Sequence, residues 1–270
     1  MELGLKNSRV LVTGSSRGIG YGIASSFLEE GATVVLTGRD EGNLTAAQEI
    51  LIGKHGADHV ETYAGNLGES AVRSGMYEYL APRGLDHLVC NIGSGRSVPA
   101  FQENDEEWHR MFDINVVQAA GVLQELRSLL VSSAQRGRNT SVTFIGSICG
   151  MEALGCPLPY ASAKAALWAY AKNLVRPLAK DGIRVNQVTP GNILFPGSTW
   201  ENKLDEDEAG VHQMLEQEVA MRRLGTVEEV SAAVVFLASK QAAFITGANL
   251  VVDGGQSDDG YSECAVAQLW

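Results

Sequence analysis

The sequence predicts an α/β protein in which helices cover both faces of a doubly wound parallel sheet. Three observations carry this. Short β-branched runs alternate with stretches of helical period along nearly the whole chain. A glycine-rich turn, Gly14-Ser15-Ser16-Arg17-Gly18-Ile19-Gly20, stands between the first run and the first helical stretch. The later turns rich in Gly, Asn and Pro follow strands, which in such a sheet puts them on the rim where ligands bind.

The first run, residues 9–13, reads Arg-Val-Leu-Val-Thr, a short apolar segment of the kind buried on both faces of a parallel sheet. Ile23, Ala24, Phe27 and Leu28 then recur at helical spacing until Gly31 stops the helix. A glycine turn between strand and helix lets backbone amides approach a pyrophosphate at the positive helix end. Gly14, Ser16, Arg17, Gly18, Ile19 and Gly20 are therefore candidate cofactor contacts, although a tight connection without a ligand uses the same residues. The second strand, 33–37, closes a β-α-β unit. At its end an acidic residue usually takes the ribose hydroxyls of NAD, and here Gly38 and Arg39 stand instead. Arg39 and Arg17 together suit a 2′-phosphate, which favours NADP over NAD. The alternative is that Arg39 pairs with Asp40 or Glu41 at the next helix start.

Helix 44–51, strand 59–63, helix 71–80 and strand 85–90 continue the alternation, with Asn66, Leu67, Asn91 and Gly93 on the ligand rim. Residues 106–131 read as one helix with Asn115 inside it, where an Asn either bonds back locally and kinks the helix or serves a site. Strand 141–147 ends at Ser147. A helix carrying Tyr160 runs to about residue 180, and strand 184–188 leads to Pro190, Gly191 and Ile193 on the same rim. Residues 192–208 look irregular, acidic and aromatic, and Phe195 and Trp200 suit a lid over about 192–220. Helices 212–220 and 227–238 and a strand 249–252 complete the pattern. No linker divides it, so one domain is expected over 1–255, followed by a tail over 256–270. Tyr261 and Trp270 in that tail either pack on a neighbouring subunit or fray.

The chemistry centres on Tyr160-Ala161-Ser162-Ala163-Lys164. At about 3.6 residues per turn, Tyr160 and Lys164 share a helix face. A phenol titrates near ~10, and bringing it to about 7 needs roughly 4 kcal/mol, within reach of Lys164 plus a cationic cofactor ring. That would make Tyr160 a general acid/base at neutral pH, whereas an ordinary half-exposed pair would do nothing.

A net charge of -11 and a pI near 4.9 argue against nucleic acid or an anionic membrane as partner. The opening residues lack a basic and apolar leader, and no stretch approaches the ~18 apolar residues of a membrane span, so a cytoplasmic location is expected. Cys90, Cys149, Cys156 and Cys264 make no C-x-x-C pair and the five histidines no metal spacing. Reduced cysteines and no metal are expected.

Taken together, Thr13-Gly14-x-x-x-Gly18-Ile19-Gly20, Asn91-x-Gly93, Asn115, Ser147, Tyr160-x-x-x-Lys164 and Pro190-Gly191 resemble the short-chain dehydrogenase/reductase family over nearly the whole chain. The resemblance implies a Rossmann fold with a seven-stranded parallel sheet, an NAD or NADP cofactor, and a homodimer or homotetramer joined through the Tyr160 and Asn115 helices. It makes Tyr160 the acid/base, has Ser147 hold the substrate oxygen, has Lys164 bind the nicotinamide ribose, and gives Asn115 a water on a proton path. Cys90 and Ile92 depart from the family's Asn-Asn-Ala-Gly turn, and Asn66 replaces the usual Asp near the adenine.

For the substrate, Arg96 suits a carboxylate or phosphate, or else is an exposed Arg near Glu103. Cys149 and Cys156 are candidate lining groups, and Trp200 belongs to the lid. The expected activity is hydride exchange with a ketone or secondary alcohol on a small polar or sugar-like intermediate. Reduction of 3-oxoacyl thioesters on an acyl carrier protein is an alternative, weakened by the negative charge and by Asp181 where carrier-dependent relatives tend to be basic. A non-catalytic dinucleotide-sensing module is the other alternative, and such proteins typically lose the Tyr or Lys kept here.

Overall fold

The computed structural model describes residues 2–257. In chain order the strands are β1 (Arg9–Val12), β2 (Thr33–Gly38), β3 (Val60–Ala64), β4 (His87–Cys90), β5 (Thr140–Ile145) and β6 (Ile183–Pro190), then β7 (Ile193–Leu194), β8 (Gly225–Thr226) and β9 (Asn249–Val252). Seven of them form one parallel sheet in the order β3-β2-β1-β4-β5-β6-β9, while β7 and β8 pair only with each other. The order reverses at β1, so the loops after β1 and β4 diverge and leave a crevice between them.

The helices are α1 (Gly18–Glu29), α2 (Glu41–His55), α3 (Ser70–Leu80), α4 (Asp105–Phe112), α5 (Gln118–Gln135), α6 (Leu158–Ala179), α7 (Thr199–Glu218) and α8 (Val227–Ala238). Alternate strand residues feed two cores. Val10, Val12, Val34 and Leu36 pack with Ile23 and Phe27 of α1, Leu44 of α2 and Val234 of α8. Leu11, Val35 and Leu88 face the other way, onto Leu80 of α3, Leu126 of α5 and Leu167 of α6. Period-two strands buried on both sides therefore appear in the sequence as continuous apolar runs.

Two expectations change. The single helix over 106–131 is two helices joined by a π-helical turn at Asp113–Val117 that holds Asn115. Asn115 donates from Nδ2 back to the Met111 carbonyl at 3.0 Å, the local bonding expected of an Asn within a helix. The segment read as irregular is helical from Thr199, because the Ser198 hydroxyl caps it by accepting from the Glu201 amide at 3.1 Å. Asp207 breaks its geometry at φ -154 and ψ 77, so α7 is kinked. Most of the expected tail, including Tyr261 and Trp270, lies outside the described residues. No helix among the described residues is long and apolar enough to cross a membrane.

At the start of β4, the end of the strand opposite the ligand rim, His87 is fully buried, bonded through Nδ1 to Ser141 Oγ at 2.9 Å. Burial pushes its imidazole down to about 4, aided by Arg184 and Arg138 and opposed by Asp86. Burial also pushes the Asp86 carboxyl up, but hydrogen bonds from Arg138, Ser133 and the Arg9 amide outweigh it and hold the group low. The unfolded chain protonates this histidine from about pH 6.5 downward and the folded chain only near 4, so stability falls as pH drops through that window. Asp86 adds its loss only at lower pH. Urea denaturation of wild type between pH 7 and about 4 should therefore show a decline of up to ~3 kcal/mol that His87→Leu flattens.

Candidate active site

The ligand rim is held together by the turns after β1, β2 and β4. The Asn91 side-chain amide donates to the carbonyls of Thr13 and Gly14, each at 3.0 Å, while the Asn91 backbone amide donates to Thr13 Oγ1 at 2.8 Å. Thr37 closes the other side, its hydroxyl accepting from the Gly14 amide at 3.0 Å. Gly20 has no room for a side chain, since a Cβ would come within 2.4 Å of the Gly14 carbonyl and 2.5 Å of Asn91 Nδ2. The glycine turn is thus clamped between β2 and β4 with α1 starting directly behind it.

Two adjoining clefts of about 310 and 200 Å³ run along this rim and share Gly14, Arg17, Asn91 and Gly93. The smaller is walled by Ser16, Arg39, Asn66 and Leu67. The larger takes in Gly18, Ile19, Gly20, Arg96, Pro190 and Gly191 and ends at Ser147, Tyr160 and Lys164. Neither Arg17 nor Arg39 makes an ion pair among the described residues, and Asp40 spends its carboxylate on the Asn43 amide at 2.7 Å as the cap of α2. Asn66 accepts from the Gly68 amide and donates to Glu69, so its side chain shapes the turn before α3. A bare glycine turn at a helix start, flanked by two free guanidiniums, fits the pyrophosphate and 2′-phosphate of a nicotinamide dinucleotide.

At the far end four side chains converge. The π-turn places Asn115 so that its Oδ1 accepts from the Ser94 amide and its Nδ2 donates to the Ser94 carbonyl, both at 3.1 Å. Lys164 is buried, and its ammonium donates to the Ile145 carbonyl at 3.0 Å. A Cβ on Gly93 would come within 2.8 Å of Asn115 Oδ1 and 3.0 Å of Lys164 Nζ, so the two groups meet over this bare backbone. Ser147 Oγ accepts from the Cys149 amide at 3.2 Å, and its hydroxyl lines the same cleft as the Tyr160 phenol and favours the ionised form of that phenol.

Lys164 and a cationic cofactor ring together are expected to lower the phenol; the protein's own groups raise it. Burial raises Tyr160, and the Ser147 hydroxyl only partly opposes it. Nζ stands 5.9 Å from the ring centroid and donates to the Ile145 carbonyl. Burial also pushes Lys164 itself down to about 8, which keeps most of its charge at neutral pH.

A third cleft of about 500 Å³ opens from Ser147 and Tyr160 and touches the glycine turn at Ile19. Ile193, placed among the cofactor contacts by the sequence, lines this side with Phe195 and Trp200. Cys149 and Cys156 line it too, joined as a disulfide with Cα atoms 6.1 Å apart, which corrects the expectation of reduced cysteines. The loop between them reverses direction, a fold-back that the spacing of the two residues does not announce. Among the described residues Arg96 pairs with no carboxylate: it donates to the Gly197 carbonyl at 3.1 Å, joining the loop after β4 to the segment before α7. Sequence reasoning missed Thr37 as part of the clamp, although a hydroxyl at a strand end beside a glycine turn was a signal. It also missed two residues on the third cleft: Asn192, which opens the segment read as irregular, and Met214, from the helix expected over 212–220.

Comparison with known proteins agrees with this geometry. Residues 14–257 match the family model described as "Enoyl-(Acyl carrier protein) reductase". A 3-oxoacyl-[acyl-carrier-protein] reductase of Chlamydia muridarum is 33% identical, with 94% of this chain and 98% of that protein covered. A glucose 1-dehydrogenase of Gluconobacter oxydans is also 33% identical, covering 92% and 91%. The crystal structure of an L-sorbose reductase from Gluconobacter frateurii, complexed with NADPH and L-sorbose, superposes with a TM-score of 0.87 at 30% identity, covering 95% and 98%. The chain belongs to the short-chain dehydrogenase/reductase family and is an oxidoreductase acting between CH–OH and C=O.

Gly93→Ala tests the convergence of Asn115 and Lys164. Because the added methyl displaces one or both, kcat/KM should fall by ~10²-fold while the circular dichroism spectrum stays that of wild type.

Proposed function

We propose that this chain is an NADP-dependent reductase of a ketone carried on a small polar or sugar-like molecule. The observation that carries it is the arrangement of Ser147, Tyr160 and Lys164, with Asn115 behind Gly93, at one end of adjoining clefts whose other end presents Arg17 and Arg39 without a carboxylate partner among the described residues. Gly14, Ser16, Gly18, Ile19, Gly20, Leu67, Pro190 and Gly191 provide the remaining cofactor wall. The bound dinucleotide supplies the hydride. Ser147 holds the substrate oxygen, and Tyr160 gives it a proton as charge develops there. Lys164, charged and buried, holds the ribose hydroxyls and favours the phenolate that remains, and Asn115 keeps the path from Lys164 to solvent in place.

The wall opposite Tyr160 mixes Asn192, Thr199 and Lys203 with Phe195, Trp200 and Met214. That mixture supports a small hydroxylated substrate more than a long acyl chain. The relative that reduces 3-oxoacyl carrier substrates keeps the thioester reading as the alternative. Against it stand the net charge of -11 and an acidic residue at Asp181, which pairs with Arg127. We further infer one catalytic domain over 1–255, a cytoplasmic location, and a homodimer or homotetramer built through α5 and α6.

Two variants test the reading. Arg39→Ala should weaken NADPH binding by ~10–100-fold in a fluorescence titration and leave NADH binding unchanged. Equal loss for both cofactors would remove the 2′-phosphate argument. Tyr160→Phe should lower kcat by ~10²–10⁴-fold with NADPH affinity retained. Turnover of a ketose such as L-sorbose, compared with that of an acetoacetyl thioester, separates the two substrate classes.

A further inference from the structure

The cystine between Ser147 and Tyr160 is used by none of the steps above, and its position gives it a function of its own. After β5 the chain makes a tight turn in which the Gly150 amide donates to the Ser147 carbonyl at 3.0 Å and the Met151 and Glu152 amides both donate to the Ile148 carbonyl at 2.9 Å. This turn is pressed onto α6: a Cβ on Gly150 would lie 2.7 Å from the Ala165 nitrogen. The chain is next held at Pro157, whose carbonyl accepts from the Ala161 amide at 3.0 Å as α6 begins. Between these anchors, residues 153–156 make one backbone hydrogen bond among the described residues, from Leu154 to the nearby Glu152 carbonyl at 3.1 Å. Ala153 and Gly155 are exposed, and nothing lies within 4 Å of a Cβ built on Gly155. What ties this arm to the anchored turn is the Cys149–Cys156 bond.

The arm is also part of the substrate wall, since Leu154, Gly155 and Cys156 line the cleft that opens from Tyr160. The other end of the cross-link matters equally, because the Cys149 amide is the donor that orients Ser147 Oγ. Both sulfur-bearing residues are half-buried and face a cleft large enough to admit a small thiol. The remaining described cysteine, Cys90, is buried, with its thiol pushed up to about 12 by that burial, and is inert by comparison.

We propose that Cys149–Cys156 is a thiol-exchangeable cross-link that closes the substrate side of the cleft, so that the redox state of this pair sets substrate affinity while leaving cofactor binding alone. The reaction partner is a dithiol. Its thiolate attacks one cysteine sulfur, the S–S bond breaks and a mixed disulfide forms. The second thiol of the reagent then displaces the protein sulfur. Cys149 and Cys156 end as thiols, having gained two electrons and two protons, and the dithiol ends as its disulfide. Reduction frees residues 153–156 on the wall of a cleft that neither Arg17 nor Arg39 lines. In a reducing compartment a disulfide in an enzyme is transient or redox-sensing far more often than structural, which fits a pair that faces the substrate.

The experiment uses full-length protein purified without reductant. Thiol titration in denaturant should find at least two more reactive cysteines after dithiothreitol than before it. Hydrogen exchange of the peptide spanning 151–157 should accelerate on reduction, whereas the Cys149→Ser/Cys156→Ser variant should exchange fast with or without dithiothreitol. In steady-state assays with NADPH and 2,3-butanedione, reduction should raise KM about tenfold and leave NADPH affinity unchanged. Four reactive thiols before reduction, or exchange in 151–157 that does not respond to dithiothreitol, would overturn the proposal. An unchanged KM would overturn its link to substrate affinity. The kinetic arm rests on the carbonyl-reductase reading; if no ketone turns over, that reading fails, and thiol titration and hydrogen exchange still decide the cross-link.

Discussion

The amide of Asn91 holds the site together. Its two donor hydrogens reach the carbonyls of Thr13 and Gly14, so the loops after β1 and β4 are one unit at the point where the strand order reverses. The cofactor cleft depends on that unit on one side, and the Gly93 backbone under Asn115 and Lys164 depends on it on the other. Each of these bonds lies at a half-buried rim, where an unmade backbone acceptor would cost about 1–3 kcal/mol. The clamp therefore contributes to stability and to preorganisation through the same atoms.

Burial works on the two central groups in opposite senses. It raises Tyr160 and depresses Lys164, bringing a phenol and an ammonium with widely separated solution values closer to each other. The chain alone leaves the phenol protonated, ready to donate. The cation needed to stabilise the resulting phenolate is held a few ångströms away, over the ring, fixed to the Ile145 carbonyl. The protein thus sets out the components and leaves the final adjustment to the charge of what binds in the cleft.

Much of this was readable because it is local. Tyr160 and Lys164 share a helix face by spacing alone, and Ser147, Asn91 and Gly93 each end a strand whose apolar run is unmistakable. What escaped depends on contacts that sequence distance hides. The π-turn at Asn115 needs a partner at Ser94, from a loop that packs against it only once β4 and α4 are in place. The α7 helix buries few apolar side chains, among them Val211 and Leu215, too sparse a stripe to stand out within an acidic stretch. The cystine needs a chain reversal encoded only by Gly155 and the turn after Ser147. The pairing of Arg39 was open in the sequence, and it was decided by Asp40 turning its carboxylate to the Asn43 amide.

The segment over the cleft has its own small apolar cluster, in which Val211, Leu215 and Val219 pack with Trp200, Leu204 and Met214, separate from the two cores that flank the sheet. Sites that share no partners contribute to stability almost independently. Replacement of α7 side chains therefore draws little on the free energy that keeps the sheet and the cofactor cleft intact. The same scaffold is in this sense tolerant to drift in what it accepts: the cover over the cleft is free to diversify while the hydride-transfer machinery beneath it stays under separate constraint.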